Sequence, residues 1–351
     1  MLRVRDGLLG LSGYHSPQID VAVRLNTNES PVGPPAEFVE RLAAAVAQID
    51  WNRYPDREAT ELRRALAIHH GVEPEQVFVA NGSNEVIQTL LLTYGGHGRS
   101  VATFEPTYQL HAHLARIAGA SVVSGERTSD FELDPAEVRR VLVEHRPDVV
   151  FVCSPNNPTG LVDDPALLTQ LASASDHLMV VDEAYAQFSD WSAISLIDDS
   201  RSLAVVRTFS KTWSMAAARL GYLIGPAWLI AELDKVVLPY HLDALSQIAG
   251  RLALDYDTAM RERVRALVAE RDRLTAALGS LGLHVVPSGA NFILFRPADG
   301  DGRRLWQGLV DRGVLIRDCS SWSRLDGYVR VTVGTAEEND AFLMALQEAL
   351  I

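Results

Sequence analysis

The sequence has few cysteines, a deficit of basic residues and no long apolar run, and each shortage excludes a class of protein. Its 351 residues include two cysteines, Cys153 and Cys319, too few for a disulfide framework or a structural zinc site. Lysine and arginine number 32 against 45 aspartates and glutamates, a net charge of -13. Because nucleic acid backbones and anionic lipids both require basic surface, we expect a protein with reduced thiols that binds neither.

The N-terminal residues lack the apolar segment of a signal peptide, and no stretch approaches the roughly 20 apolar residues that cross a membrane. We therefore expect a cytoplasmic protein without a cleaved segment. The composition, 47% apolar and 22% charged, is that of a globular protein with one large or two modest domains.

Short apolar runs alternate with helical segments through the first two thirds of the chain, which predicts β-α units and a mainly parallel sheet covered on both faces. Five of these runs end in a polar, turn-forming cluster, at residues 81–85, 105–108, 154–160, 182–185 and 208–219. Ligands bind beyond the carboxyl ends of parallel strands. We therefore expect the five clusters to converge on one crevice.

The rest of the chain predicts a second, smaller domain. Residues 1–35 are rich in turn formers, a long helical run extends from about residue 242 to 281, and strands and helices mix after it. We expect an N-terminal arm (1–35) that packs with the small domain, a large domain (36–240) and a small C-terminal α+β domain (241–351), hinged through the long helix.

Lys211 and Asp182 are the first candidates for chemistry. Lys211 follows the apolar run 203–206, and Arg219 comes eight residues later. Burial beside a cation makes a lysine nucleophilic, so a Schiff base on Lys211 is our hypothesis, with a solvated surface lysine as the alternative. Asp182 ends another apolar run, where a carboxylate needs a cationic partner such as a protonated pyridine nitrogen; a plain turn carboxylate is the alternative.

Other cluster residues have a possible binding role and an ordinary structural one. Gly82, Ser83 and Asn84 stand at a predicted helix start, where free amides can hold a phosphate or simply be capped. Ser210 and Arg219 can complete an anion pocket. Three further side chains have roles that turn or packing functions would also explain: a ring hydrogen bond from Asn157, a hydroxyl from Tyr185 and an aromatic face from Tyr108.

No metal site is predicted. His111 and His113 are two residues apart, so on a helix their side chains point to different faces and cannot easily chelate one ion. Both histidines are interpreted as ordinary helix residues.

Taken together, four motifs resemble the fold-type I pyridoxal-phosphate aminotransferases in order and spacing. They are Asn157-Pro158-Thr159-Gly160, Asp182-Glu183-Ala184-Tyr185, Ser210-Lys211 with Arg219, and Arg330-Val331-Thr332-Val333-Gly334. The resemblance implies an α/β fold with a large domain, whose mainly parallel sheet is of the seven-stranded type and lies between helices, plus a smaller α+β domain.

Within that superfamily the chain resembles the histidinol-phosphate aminotransferases over essentially its whole length. The similarity rests on Leu25-Asn26-Thr27-Asn28-Glu29-Ser30-Pro31, Asn52-Arg53-Tyr54-Pro55-Asp56, residues 154–160 and the ending Val333-Gly334-Thr335-Ala336-Glu337-Glu338-Asn339. It implies a pyridoxal 5'-phosphate enzyme of histidine biosynthesis that moves an amino group to 2-oxoglutarate in a ping-pong cycle through a Schiff base on Lys211.

The resemblance also implies the roles of single residues. Lys211 would be the Schiff-base lysine and proton shuttle, Asp182 would bind the pyridine nitrogen, and Tyr185 the ring hydroxyl. The remaining implied cofactor contacts are Asn157 on the hydroxyl, Tyr108 on the ring, Gly82, Ser83, Asn84, Ser210 and Arg219 on the phosphate, and Tyr54 from the other subunit of a homodimer. The implied substrate contacts are Tyr14, Asn28, Arg317 and Arg330.

The chain departs from the family where the amino donor might be chosen. Relatives often have an aromatic residue and glycines at the positions of Trp213, Ser214 and Ala217, and asparagine is commoner at the position of Ser30. An aromatic amino-acid aminotransferase is therefore the alternative, and a phosphothreonine decarboxylase a more distant one. A pyridoxal-phosphate-sensing regulator would need a DNA-binding segment, and a non-catalytic relative would lack the lysine; neither is favoured.

Overall fold

A computed structural model describes residues 2, 4–13, 17–173 and 176–351. Within those residues the strands, in chain order, are β1 (Val23–Arg24), β2 (Val77–Ala80), β3 (Ser100–Glu105), β4 (Ser121–Glu126), β5 (Val149–Cys153), β6 (Leu178–Asp182), β7 (Leu203–Thr208), β8 (Gly221–Ile224), β9 (His284–Val285), β10 (Phe292–Arg296), β11 (Val314–Leu315), β12 (Arg317–Asp318) and β13 (Val329–Thr332).

The α-helices of the same residues cover both faces of the main sheet and surround the smaller ones. They are α1 (Ala36–Val46), α2 (Thr60–His70), α3 (Gly82–Tyr94), α4 (Leu110–Ala118), α5 (Pro135–His145), α6 (Pro165–Ala172), α7 (Ala227–Leu233), α8 (Ala244–Ala253), α9 (Asp257–Ser280), α10 (Gly302–Val310) and α11 (Ala336–Ala349). No helix of the described residues is long and apolar enough to cross a membrane.

The main sheet has seven strands in the order β2-β8-β7-β6-β5-β3-β4. Strands β3 to β7 pair in parallel, whereas β8 runs antiparallel to both of its neighbours. The predicted α/β fold with a mainly parallel sheet is therefore confirmed. Two of its strands, β4 and β8, had no counterpart in the sequence analysis.

The central strands are apolar throughout because helices cover both faces of the sheet. Successive side chains of a strand point to opposite faces. Accordingly Val149 and Phe151 of β5 pack in one buried cluster with α3 and α7, while Val150 and Val152 pack in another with α5 and α6. This arrangement leaves the carboxyl ends of β5, β6 and β7 at one edge of the sheet, where their polar residues lie.

A four-stranded antiparallel sheet, in the order β12-β13-β10-β9, lies in the C-terminal part of the chain. The arm reaches this part of the molecule, because β1 pairs in parallel with β11 through Val23 and Val314. The division of the chain into domains at residues 35 and 240 stays a prediction.

The helical run predicted from residue 242 to 281 consists of two helices joined by a short 3-10 turn, Leu254–Tyr256. Helix α8 packs in one core, and α9 packs in two. In α8, Ala249 and Leu252 pack with α1 and α2 in a cluster beside the main sheet, which Met260 and Val264 of α9 also join. Further along α9, Leu274 and Leu278 pack with the C-terminal sheet. Helix α9 therefore links the two cores.

Candidate active site

A cavity of about 440 Å³ lies at the carboxyl ends of the parallel strands, between the start of α3, the N-terminal arm and the C-terminal sheet. The five polar clusters meet there, as the β-α pattern predicted. Its lining includes Asn26, Thr27, Asn28, Glu29, Ser83, Asn84, Tyr108, Cys153, Asn157, Asp182, Tyr185, Ser210, Lys211, Ala217, Arg219, Arg317 and Arg330.

Lys211 lies in the turn after β7, and its amine points into this cavity. Nζ donates a hydrogen bond to the backbone carbonyl of Thr27 in the arm, at 2.9 Å. Burial and then the charge of Arg330 lower the pKa of Lys211 to about 8, against a weaker opposing effect of Glu29. The amine is therefore partly neutral near physiological pH, as a nucleophile or proton acceptor requires.

Asp182 ends β6 and is almost completely buried. Its Oδ2 lies 2.9 Å from Nε2 of His111, and its Oδ1 accepts a hydrogen bond from the backbone amide of Ala184 at 3.1 Å. A buried carboxylate must be compensated by hydrogen bonds or cations. The His111 ring is fixed in turn by stacking on Phe151, with centroids 4.5 Å apart and planes at 12°.

His111 is the functional residue that sequence reasoning missed. We interpreted it as an ordinary helix residue because only a metal site with His113 was considered. It lies on the buried face of α4, one turn after Tyr108, and the two rings meet edge to face at 5.3 Å. The available signal was a histidine three residues after an aromatic residue at a strand end.

Tyr185 and Asn157 lie on either side of the cavity floor. Burial raises the pKa of the Tyr185 hydroxyl, which therefore stays protonated and able to donate a hydrogen bond. The side-chain amide of Asn28 donates to that hydroxyl at 2.9 Å. Asn28 is tied to β13, because its backbone amide donates to Oγ1 of Thr332 at 2.9 Å and that hydroxyl donates back to its Oδ1 at 3.1 Å.

The opposite end of the cavity is an anion cradle made by the start of α3 and the turn that holds Arg219. Free backbone amides at a helix start attract anions, and Ser83 and Asn84 lie in the first turn of α3. Gly82 has a φ of +81°, and a Cβ there would lie 2.8 Å from a guanidinium nitrogen of Arg219. Only glycine fits between this helix start and the arginine.

Arg219 and Ser210 face the same cradle. The guanidinium lies 3.5 Å from Oγ of Ser210 and donates to the carbonyl of Ala216 at 3.1 Å. Arg219 has a left-handed backbone, with φ +47°, which turns its side chain back towards Gly82. The geometry brings together the residues that the sequence placed around a phosphate.

Arg330 and Arg317 line the cavity on the side of the C-terminal sheet. They are register partners on β13 and β12, and both are buried. Arg330 donates hydrogen bonds to the side chain of Asn157 and, at 3.1 Å, to the carbonyl of Asn26. Two cations so placed can bind an anionic group.

One predicted site residue of the described part of the chain, Tyr54, lies away from this cavity. Tyr54 is 80% exposed and its ring stacks on that of Tyr240, with centroids 4.6 Å apart. Tyr14 lies outside the described residues. Trp213, at a position where the family pattern bears on substrate choice, has its side chain in the buried cluster beside α2 and α8 and does not line the cavity.

Two of the residues that differ from the family pattern, Ser30 and Ser214, are in contact. Oγ of Ser214 donates to Oγ of Ser30 at 2.7 Å, which ties the arm to the turn that carries Lys211. Ser214 has a φ of +58°, a conformation that favours glycine. The backbone conformation explains why glycine is common at that position. In this chain, the serine side chain contacts the arm through Ser30.

Comparison with known proteins agrees with this geometry. The sequence profile of the family described as aminotransferase class I and II matches residues 20–346. Histidinol-phosphate aminotransferase from Streptomyces avermitilis is 46% identical over 99% of this chain and 96% of its own length, and that from Frankia casuarinae is 43% identical over 99% and 90%. The structure of histidinol-phosphate aminotransferase from Sinorhizobium meliloti, in complex with pyridoxal-5'-phosphate, superposes with a TM-score of 0.89 at 23% identity, covering 99% of this chain and 97% of that one.

Proposed function

The chain belongs to the class I and II aminotransferases, and from that premise we propose that it transfers the amino group of histidinol phosphate to 2-oxoglutarate. The observation that carries the choice of donor is the full-length similarity to two enzymes named for that substrate. The aromatic amino-acid alternative has no counterpart among these relatives.

The cofactor is pyridoxal 5'-phosphate, and the side chains of the cavity fit it. The cradle of Gly82, Ser83, Asn84, Ser210 and Arg219 suits the phosphate. The carboxylate of Asp182, held by His111, suits a protonated pyridine nitrogen, and Asn157 and Tyr185 can hydrogen-bond the ring hydroxyl. Tyr108 lies at the edge of the cavity where its ring can stack. The bound cofactor supplies an electron sink for the carbanion that forms at the donor carbon.

The residues of the chain supply the proton transfer and the binding. Nζ of Lys211, with its pKa lowered to about 8, would take the proton from the α-carbon of the donor and deliver it to the cofactor carbon, and would carry out the reverse transfer with 2-oxoglutarate. Asp182 would hold negative charge at the pyridine nitrogen, and Arg330 and Arg317 would hold the phosphate of the donor or a carboxylate of 2-oxoglutarate. One site thus serves both substrates in turn, as a ping-pong cycle requires.

A homodimer belongs to the same proposal. The exposed ring of Tyr54 stacks on that of Tyr240, and the nearby sequence positions Trp51 and Leu238 are exposed by 69% and 74%. Exposed apolar surface of this kind marks an interaction site. A second copy that covers it would place each Tyr54 at the other subunit's cavity, which is open at the exposed residues Ala217 and Arg219.

A cytoplasmic location remains a prediction.

The test of function is a visible spectrum of the purified protein with pyridoxal phosphate, recorded before and after each donor is added. Histidinol phosphate should convert the cofactor to its aminated form at lower concentration and faster than phenylalanine or tyrosine. Lys211→Ala should not complete that conversion. Preference for an aromatic amino acid would replace the proposed donor, and a wild type that binds no cofactor would refute the whole assignment.

A further inference from the structure

Two buried arginines lie on neighbouring strands in the site. Arg317 and Arg330 are direct register partners on antiparallel strands, exposed by 8% and 5%. Like charges directly opposite on a sheet repel each other, and burial strengthens the repulsion. The hydrogen-bond acceptors of Arg330 within the described residues, Asn157 and Asn26, are neutral.

The indole ring of Trp322 lies against both guanidiniums. The central carbon of Arg317 is 5.4 Å from the ring centroid and that of Arg330 is 5.9 Å. Phe292 lies against Arg330 as well, at 5.0 Å. An aromatic face within about 6 Å attracts a guanidinium through its quadrupole, most strongly where water is excluded.

The segment that carries Trp322 is fastened at several points. The backbone amide of Trp322 donates to the carbonyl of Cys319 at 2.9 Å, and its carbonyl accepts from Leu325 at 3.1 Å. Arg324 donates to the carbonyls of Arg127 and, at 3.2 Å, Thr128 beyond the end of β4. The Trp322 ring packs on a buried cluster that includes Phe131, Leu325 and Tyr328. Its position is therefore set by the fold and not by a ligand.

Trp322 is not among the residues that line the cavity, whereas both arginines are. We propose that Trp322 is a positioning residue for substrate binding: its ring holds Arg317 and Arg330 side by side so that both guanidiniums bind one phosphate or carboxylate group. The identity of that group rests on the proposed function. The inference itself concerns the anion receptor.

A tryptophan can hold the two guanidiniums together without neutralising them, which a carboxylate cannot do. A carboxylate between the arginines would relieve their repulsion by neutralising them, and would then compete with the anion of the substrate. The indole face attracts both cations and leaves their formal charge unchanged.

The experiment measures the dissociation constant of inorganic phosphate by equilibrium dialysis of the enzyme loaded with pyridoxal phosphate, so that the cofactor already fills its own phosphate cradle. Trp322→Leu keeps apolar bulk but removes the aromatic face, and we expect about tenfold weaker binding. Trp322→Phe restores the face and should bind within about threefold of wild type. Trp191→Leu, at another partly buried tryptophan, is the matched control and should leave the constant unchanged.

Kinetics give a second readout that a general loss of folding would not reproduce. With histidinol phosphate, Trp322→Leu should raise KM by about the same factor and leave kcat within about twofold. If Trp322→Leu does not fold, Trp322→Met takes its place. Wild-type phosphate affinity in the aliphatic variant, or equal weakening in the phenylalanine variant, would overturn the proposal.

The two proposals can fail separately. An enzyme that ignores histidinol phosphate but binds inorganic phosphate in a Trp322-dependent way would refute the proposed donor and support the receptor. An enzyme that turns over histidinol phosphate with a phosphate affinity independent of Trp322 would do the reverse.

Discussion

Nε2 of His111 lies 2.9 Å from Oδ2 of Asp182, and the two side chains are 0% and 3% exposed. The carboxylate is thus held from the side by a ring that is itself fixed by stacking on Phe151. A preorganised charge costs no reorganisation when the reaction needs it. His111 acts on the chemistry through Asp182 and does not line the cavity.

Replacing His111 with phenylalanine should slow the enzyme without removing the stacked ring. A hydrogen bond to a charged group contributes about 1.5–3 kcal/mol, so kcat/KM should fall by roughly 10- to 100-fold. Steady-state kinetics at saturating pyridoxal phosphate measure it. His113→Phe, two residues along the same helix and on a different face, is the control and should be nearly neutral. Equal activities of the two variants would contradict the role of His111.

The uptake of pyridoxal phosphate by the apoenzyme should accelerate as pH rises through about 8. Below the pKa of Lys211 its amine is protonated and cannot attack a carbonyl, and the charge of Arg330 is one cause of the low value. Arg330→Leu should therefore raise the pKa and move the midpoint of the rate profile to higher pH. Arg303→Leu, at an exposed position of α10, should leave the midpoint in place; an unmoved midpoint in Arg330→Leu would contradict this account.

Two substitutions of Asn28 should distinguish the contribution of its side chain to activity from the effect of its backbone conformation on stability. It has a φ of +56° and donates to the Tyr185 hydroxyl. Asn28→Gly keeps the left-handed backbone unstrained and removes the side-chain hydrogen bonds to Tyr185 and Thr332, so activity should fall about tenfold. Asn28→Ala should lose the same activity and be about 1 kcal/mol less stable than Asn28→Gly, because alanine resists the left-handed region.

These two variants are compared by denaturant unfolding and by kcat/KM. If alanine and glycine give the same unfolding free energy, the backbone at residue 28 is not strained. If glycine retains full activity, the hydrogen bond to Tyr185 does not matter for the reaction.

Gly82→Ala should weaken cofactor binding. The added Cβ would meet a guanidinium nitrogen of Arg219 at 2.8 Å, so the end of that side chain must shift. The weakened charged contact to phosphate should raise the dissociation constant of pyridoxal phosphate by roughly tenfold. Fluorescence or absorbance titration of the apoenzyme measures it.

Gly71→Ala is the matched control for that titration. Gly71 also has a left-handed φ, +68°, but open space where a Cβ would stand. It should lose stability without losing cofactor affinity. Equal cofactor affinities in the two variants would show that the close approach of Gly82 to Arg219 has no part in binding.

The sequence predicted the site best where local pattern decides position. Apolar runs that end in Asn157, Asp182 and Lys211 were recognisable, because strands of a parallel sheet bring their carboxyl ends to one edge. The contact of His111 with Asp182 was not predictable from pattern, since the two residues are 71 positions apart and meet only through the packing of α4 on the sheet.

The structure of the C-terminal part was harder to predict, because contacts between distant residues determine it too. Strand β12 has two residues, too few for an alternating pattern, so the register that sets Arg317 against Arg330 was invisible. The break between α8 and α9 at Leu254–Tyr256 has no proline or glycine to mark it in the sequence. Tertiary contacts decided these features.

The hydroxyls of Ser30 and Ser214, 2.7 Å apart, join two positions that are separated by 184 residues. A change at either one leaves the other hydroxyl without this partner. Residues imported singly from relatives at these positions therefore meet a neighbour that is wrong for them. An exchange of the N-terminal arm or of the turn that carries Lys211 with that of a relative should therefore replace Ser30 and Ser214 together.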